Sequence, residues 1–169
     1  YVRELAPGIT NQIIYAHNSN VTIEARVGGR MGDMYGRGFQ RSPDGQIVYS
    51  SNGLPAPLDP VAKLWGNAFA DWKGSIMNEF TIKNVRFSIL LDGQMGGEMY
   101  SQTSHKNNTL GKTKVTLPGR DGGLVGDGVV KQADGTYVPN ATKVAASAYY
   151  DNYYQISNAE TNIFDATFL

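Results

Sequence analysis

The sequence contains no cysteine, so disulfide scaffolds and thiolate zinc sites are excluded. No run of about 18 apolar residues occurs, which excludes a membrane-spanning helix but not transmembrane strands. Such strands need only roughly 9 to 11 residues of alternating polarity. Charge is also scarce: 18% of residues are charged, and 15 basic side chains balance 15 acidic ones. A net charge of zero gives no electrostatic case for nucleic acid or an acidic substrate. His17 and His105 are the only histidines and have no neighbours at metal-ligand spacing, so both are read as structural. G-x-G-x-x-G, Walker, H-E-x-x-H and G-x-S-x-G patterns are absent. No catalytic residue, metal or cofactor is therefore expected, and the chain is read as a protein other than an enzyme.

Glycine and tyrosine are abundant instead, at 20 and 10 of 169 residues. That much glycine implies many turns and close backbone approaches. Tyr1-Val2-Arg3-Glu4 has none of the features of a signal peptide, and a strand-like pattern is only beginning at residues 165–169, so truncation at both ends is expected.

Val21 to Val27 alternates apolar and polar side chains, which predicts a strand with one wet face. Pro43-Asp44-Gly45 predicts a small hairpin between residues 39–41 and 46–49, and three prolines make 50–60 a loop. A second small hairpin is expected around Ala133-Asp134-Gly135. Asn140 is placed to cap a short helix over 141–150, with Tyr149, Tyr150, Tyr153 and Tyr154 on it or just beyond.

The most regular stretch runs from Trp72 to Met99. With Lys83-Asn84 as a two-residue turn, Ile82 opposes Val85, Phe80 opposes Phe87, Ile76 opposes Leu91 and Trp72 opposes Met95. Both apolar rows, including Ile89, then fall on one face. Glu79, Arg86 and Asp92 fall on the other. A β-sandwich strand pair shows the same alternation, so parity alone leaves the environment open.

Leu64-Trp65-Gly66-Asn67 through Asp71-Trp72, the Lys83-Asn84 turn, Phe87 and the Gly96-Gly97-Glu98-Met99-Tyr100 stretch together resemble the late-barrel signature of SusC/RagA-type TonB-dependent transporters. Val27-Gly28 to Tyr35-Gly36, Gly126-Asp127-Gly128-Val129 and Phe164 to Leu169 resemble further pieces in family order. Ala70, Ile82 and Val85 depart from the pattern where proline or aromatic residues are usual.

The resemblance implies an all-β fold: a fragment of a transmembrane antiparallel β-barrel, 22-stranded in the parent, with long extracellular loops and a short helix. On that reading residues 1–39 are strand and loop entry, 40–71 an extracellular loop and 72–100 a transmembrane hairpin. Residues 101–164 are a long extracellular loop, and 165–169 start the next strand. Ile76, Phe80, Ile82, Val85, Phe87, Ile89 and Leu91 would face outer-membrane lipid, with Trp72 and Tyr100 as outer-rim aromatics. The implied function is import of glycan fragments or peptides across the bacterial outer membrane. A SusD-like surface lipoprotein and TonB are the implied partners, TonB acting through parts of the parent absent here.

The four tyrosines Tyr149, Tyr150, Tyr153 and Tyr154 are the candidate contact for substrate or partner, since tyrosine offers flat apolar area and a hydroxyl. Packing of these rings within a folded loop is the simpler explanation, ahead of contact with a lipoprotein partner or with substrate. Asp121 and Asp127 among glycines resemble a calcium turn only loosely, without EF-hand spacing. Asn20, Asn107 and Asn140 begin N-glycosylation sequons. The alternative function is a secreted β-sandwich carbohydrate-binding module that uses tyrosine-rich loops.

Overall fold

Alternation becomes pairing wherever the chain alternates most strongly. The computed structural model describes residues 1–17 and 21–169, with only the backbone of His17 included; the asparagine of the first sequon and the His17 side chain lie outside the described residues. Strand β1 (Asn11–His17) pairs antiparallel with β2 (Val21–Arg26), and β2 with β3 (Asp33–Gly36). β4 (Val48–Tyr49) leaves this sheet, and β5 (Lys63–Asn67) completes it on the far edge of β3. The wet face expected of β2 is not wholly wet. Glu24 is buried, and hydrogen bonds from Thr22, Asn11 and Arg26 satisfy its carboxylate. Burial raises its pKa, but those bonds outweigh burial and hold it below the ordinary value.

β6 (Trp72–Ile82) and β7 (Val85–Met95) form the long hairpin, with Ile82↔Val85, Phe80↔Phe87, Ile76↔Leu91 and Trp72↔Met95 in register. Lys83 turns the chain at φ 54°, the one positive φ outside glycine among the described residues. β8 (Glu98–Tyr100) leads to α1 (Gln102–Thr109), whose first turn is capped by Ser101 Oγ accepting from Ser104 N at 3.1 Å. A 3₁₀ turn at Lys114–Thr116 follows. β9 (Leu124–Val125), β10 (Val129–Lys131), β11 (Tyr137–Pro139) and β12 (Lys143–Val144) are short. α2 (Ala146–Tyr153), α3 (Ala159–Asn162) and β13 (Ile163–Asp165) close the described order.

These strands make five separate open sheets: β1-β2-β3-β5, β11-β10-β4, β12-β9, β13-β8 and β6-β7. None of them closes, and the largest has four strands. The expectation of a 22-stranded transmembrane barrel fragment is therefore corrected to a mixed α/β arrangement of small sheets and short helices. Without a barrel wall, the transmembrane assignment of 72–100, the transporter function and the outer-membrane location fall with it. The physical reason is that parity reports a two-faced strand pair and is blind to what lies against either face. The seven residues read as lipid-facing do share one face of β6-β7 and are exposed. Among the described residues that sheet pairs with nothing else except a bridge between Gln94 and Phe168 at its base.

Three further expectations change. The helix starts at Ala146 rather than at residue 141, with Ala145 at its N-cap. Asn140 instead donates its amide to Gly126 O at 2.9 Å and accepts from Thr142 N, which holds residues 141–145 extended. The stretch 101–164 carries α1, α2 and α3, where a long loop with one short helix is expected. The last strand ends at Asp165, and Phe168 returns only as the bridge to Gln94.

The core is divided as the sheets are. Val21, Met34 and Ala159 form one buried cluster with Trp65, Tyr100 and Ile163 against it. Val48, Ala56 and Val129 form a second, and Tyr49, Ala146, Tyr149 and Tyr150 a third. β4 joins the last two, because its successive residues Val48 and Tyr49 point to opposite faces.

Candidate functional site

The aromatic cluster is built by helical spacing. On α2, Tyr149 and Tyr153 lie one turn apart with ring centroids at 5.4 Å, and Tyr150 and Tyr154 at 6.3 Å, both pairs stacked. Tyr149 meets Tyr150 edge-on at 5.3 Å, and Phe39 packs on Tyr153 at 4.7 Å. From β4, Tyr49 lies parallel to Tyr149 at 6.4 Å, and their hydroxyls hydrogen-bond at 3.0 Å inside the core. Gly126 and Gly128 let the chain cross the Tyr49 ring, because a Cβ at either would overlap that ring. Burial raises the pKa of Tyr49, Tyr149 and Tyr150, and pushes Tyr153 up to about 12, so these rings stay neutral at physiological pH.

The structure thus brings together all four tyrosines singled out in the sequence, and adds Tyr49 and Phe39, which are distant in sequence. Tyr149 and Tyr150 are buried while Tyr153 and Tyr154 are half-buried, so most ring area serves packing. Tyr150 differs from the others in also walling a cleft. Its hydroxyl donates to Pro118 O at 3.1 Å, fixing the ring, and the cleft of about 410 Å³ is bounded by Thr109, Gly111, Thr116, Arg120, Ser147 and Tyr150.

Arg120 is held in this cleft by bonds from Nε to Thr116 O at 3.0 Å and from Nη2 to Gly111 O and Thr116 Oγ1. Among the described residues it forms no ion pair with a carboxylate. Ser147 is exposed at the mouth. Ala145 offers no side-chain cap, so the first-turn N–H groups of α2 beside Ser147 lack the usual side-chain acceptor. The cleft therefore combines a fixed aromatic wall with hydroxyl, guanidinium and amide donors. Its key member from outside the tyrosine run, Arg120, carried no sequence signal beyond a Pro-Gly-Arg turn.

Two other cavities are less suited to recognition. A space of about 530 Å³ has its charges committed internally, with Arg30 on Asp71 at 3.0 Å and Glu98 accepting from Asn67 N at 2.7 Å. A smaller one of about 280 Å³ lies between Val21, Ile23, Met34 and Tyr100 and is mainly apolar. Tyr100, expected at an outer rim, is here half-buried, with its hydroxyl donating to Ile156 O at 2.8 Å. Trp72 stays exposed and covers Gly74.

The remaining candidates are dispersed. His105 contacts Tyr154 O through Nδ1 at 2.6 Å, a structural tie between α1 and the tyrosine segment. Asp121 and Asp127 are both exposed, and no group of three His, Asp or Glu among the described residues could hold a metal ion. Glu79 pairs with Arg86 across the long hairpin, while Asp92 stands opposite Ser75.

No known family model and no curated protein matches the chain. The short motifs shared with SusC/RagA transporters do not amount to membership of that family, and TonB and the SusD-like lipoprotein are implied by that resemblance alone. Fold and site define a mixed α/β unit organised around a tyrosine cluster with a polar-mouthed cleft.

Proposed function

We propose that this protein is a non-catalytic carbohydrate-binding module, and that the cleft beside α2 receives the sugar. The observation that carries this reading is the lining of the cleft: the fixed ring of Tyr150, 7% exposed, stands beside Arg120 and the exposed Ser147 at the first turn of α2, which has no side-chain cap. Sugars present an apolar C–H face and a ring of hydroxyls. The part of the Tyr150 ring that lines the cleft offers apolar contact, and the donors beside it offer polar contact. The cleft volume of about 410 Å³ suits one or two sugar residues rather than a long chain, within the ordinary range for small-ligand sites.

Affinity electrophoresis and calorimetry against a panel of plant, bacterial and animal polysaccharides test the proposal. The native protein is expected to be retarded by at least one of them. Ser147→Phe, which places a ring in the mouth at an exposed position, should weaken that binding at least about tenfold with the circular dichroism spectrum unchanged. Binding by no member of the panel would overturn the reading, as would undiminished binding by Ser147→Phe.

A further inference from the structure

The β6-β7 hairpin is unlike the rest of the chain. Nine large apolar side chains between Trp72 and Met95 share one face, each 48–68% exposed, with the pairs Phe80↔Phe87 and Ile76↔Leu91 on it. The opposite face carries Lys73, Asp92 and the Glu79–Arg86 ion pair, with the single apolar pair Met77↔Leu90 among them. Isolated two-stranded sheets are marginal in water, and exposed apolar area of this extent marks an interaction surface.

We propose that the same hairpin of a second copy of this chain covers the face, the two hairpins stacking apolar side to apolar side about 10 Å apart. The area fits. Nine half-exposed side chains offer roughly 100 Å² each, so close packing takes on the order of 800 Å² from each copy, the share each partner contributes to an interface of standard size. The symmetry fits as well, because a two-fold contact needs a self-complementary patch, and an uncharged apolar row is complementary to itself. Charge does not oppose it, since each chain carries 15 basic and 15 acidic residues.

A lipid surface is the competing occupant, and the backbone argues against it. Among the described residues β6 has no strand on its outer edge, and β7 has only the Gln94–Phe168 bridge on its own. In hydrocarbon each unpaired N–H and C=O on those edges costs several kcal/mol, whereas between two stacked hairpins both edges stay in water.

Sedimentation equilibrium of the intact protein in buffer provides the test. The native chain should have the mass of two copies at micromolar concentration. Phe80→Glu with Phe87→Glu should have the mass of one, and Ser75→Lys, on the opposite face beside Asp92, should remain dimeric. A second measurement does not depend on the double variant folding. Because the native chain lacks cysteine, Ile89→Cys near mid-hairpin should form an interchain disulfide on mild oxidation, and Ser75→Cys should not. A native chain of single mass, equal crosslinking of both cysteine variants, or a monomer that partitions onto phosphatidylcholine vesicles would each overturn the proposal.

Discussion

The bond between the Tyr49 and Tyr149 hydroxyls holds β4 to α2 and supports the ring arrangement that fixes Tyr150. Each hydroxyl has the other as its only hydrogen-bond partner among the described residues, at 3.0 Å, on rings that are 2% and 8% exposed. Replacing one tyrosine by phenylalanine strands a buried hydroxyl, which costs about 1–3 kcal/mol, whereas replacing both removes donor and acceptor together and is nearly neutral. Tyr49→Phe and Tyr149→Phe are therefore each expected to lose about 1.5 kcal/mol, and the double variant no more than either single one. The coupling between them is then on the order of 1.5 kcal/mol, far above the few tenths expected of independent sites. Urea unfolding followed by near-ultraviolet circular dichroism measures this. At a slope near 2 kcal/mol/M, each single variant moves the midpoint down by roughly 0.7 M. A double variant whose loss equals the sum of the singles would refute the reasoning, because the hydroxyls would then be independent.

Other outcomes follow from the same cluster and its surroundings. Burial raises the tyrosine pKa values in the native state, to about 12 at Tyr153, while unfolded tyrosines titrate near 10. Stability is thus fully present below about pH 10 and is lost as pH rises through the native values; urea midpoints at pH 9 and pH 11 should differ in that direction, and equal midpoints would contradict the burial. Gly126→Ala should destabilise by about 1–3 kcal/mol, because its Cβ overlaps a Tyr49 ring that cannot move aside. Gly122→Ala, whose nearest neighbour would be Lys143 Nζ at 3.8 Å, should be nearly neutral in the same denaturation assay. Ser101→Ala removes the cap of α1 and should cost about 1 kcal/mol.

Pattern in the sequence was informative where structure depends on neighbours in the chain. The Trp72–Met95 hairpin pairs residue for residue as its parity requires, and turns at Gly45 and Gly135 stand where Asp-Gly placed them. What the hairpin faces was not legible, because alternation specifies two faces and says nothing of what covers either. Short Gly-aromatic and Asn-turn motifs imply a barrel only when joined, and a set of small open sheets uses each of them as readily. α1 was missed because Gln102–Thr109 has no apolar period; its only local signal is the Ser101 cap. Of the candidate site, the spacing of the four tyrosines was visible, since i and i+4 neighbours stack on any helix. Tyr49 and Phe39 join it through contacts spanning about a hundred residues or more, and Arg120 by lining the same cleft as Tyr150 from about thirty residues away, for which no local pattern exists. Buried polar residues were equally hidden: Asn158 and Asn162 are fully enclosed, holding the α2-to-α3 connection through Tyr153 O and Gln155 O.

The cleft beside α2 is the proposed place where sugar binds. Amide chemical shifts of the labelled protein, recorded while titrating an oligosaccharide from whichever polysaccharide retards it, test that most directly. Perturbations are expected to be confined to residues 109–111, 116–123 and 145–150, with the β6-β7 hairpin unaffected. Perturbations centred on the hairpin or on the Arg30–Asp71 cavity, with those three segments unchanged, would contradict it.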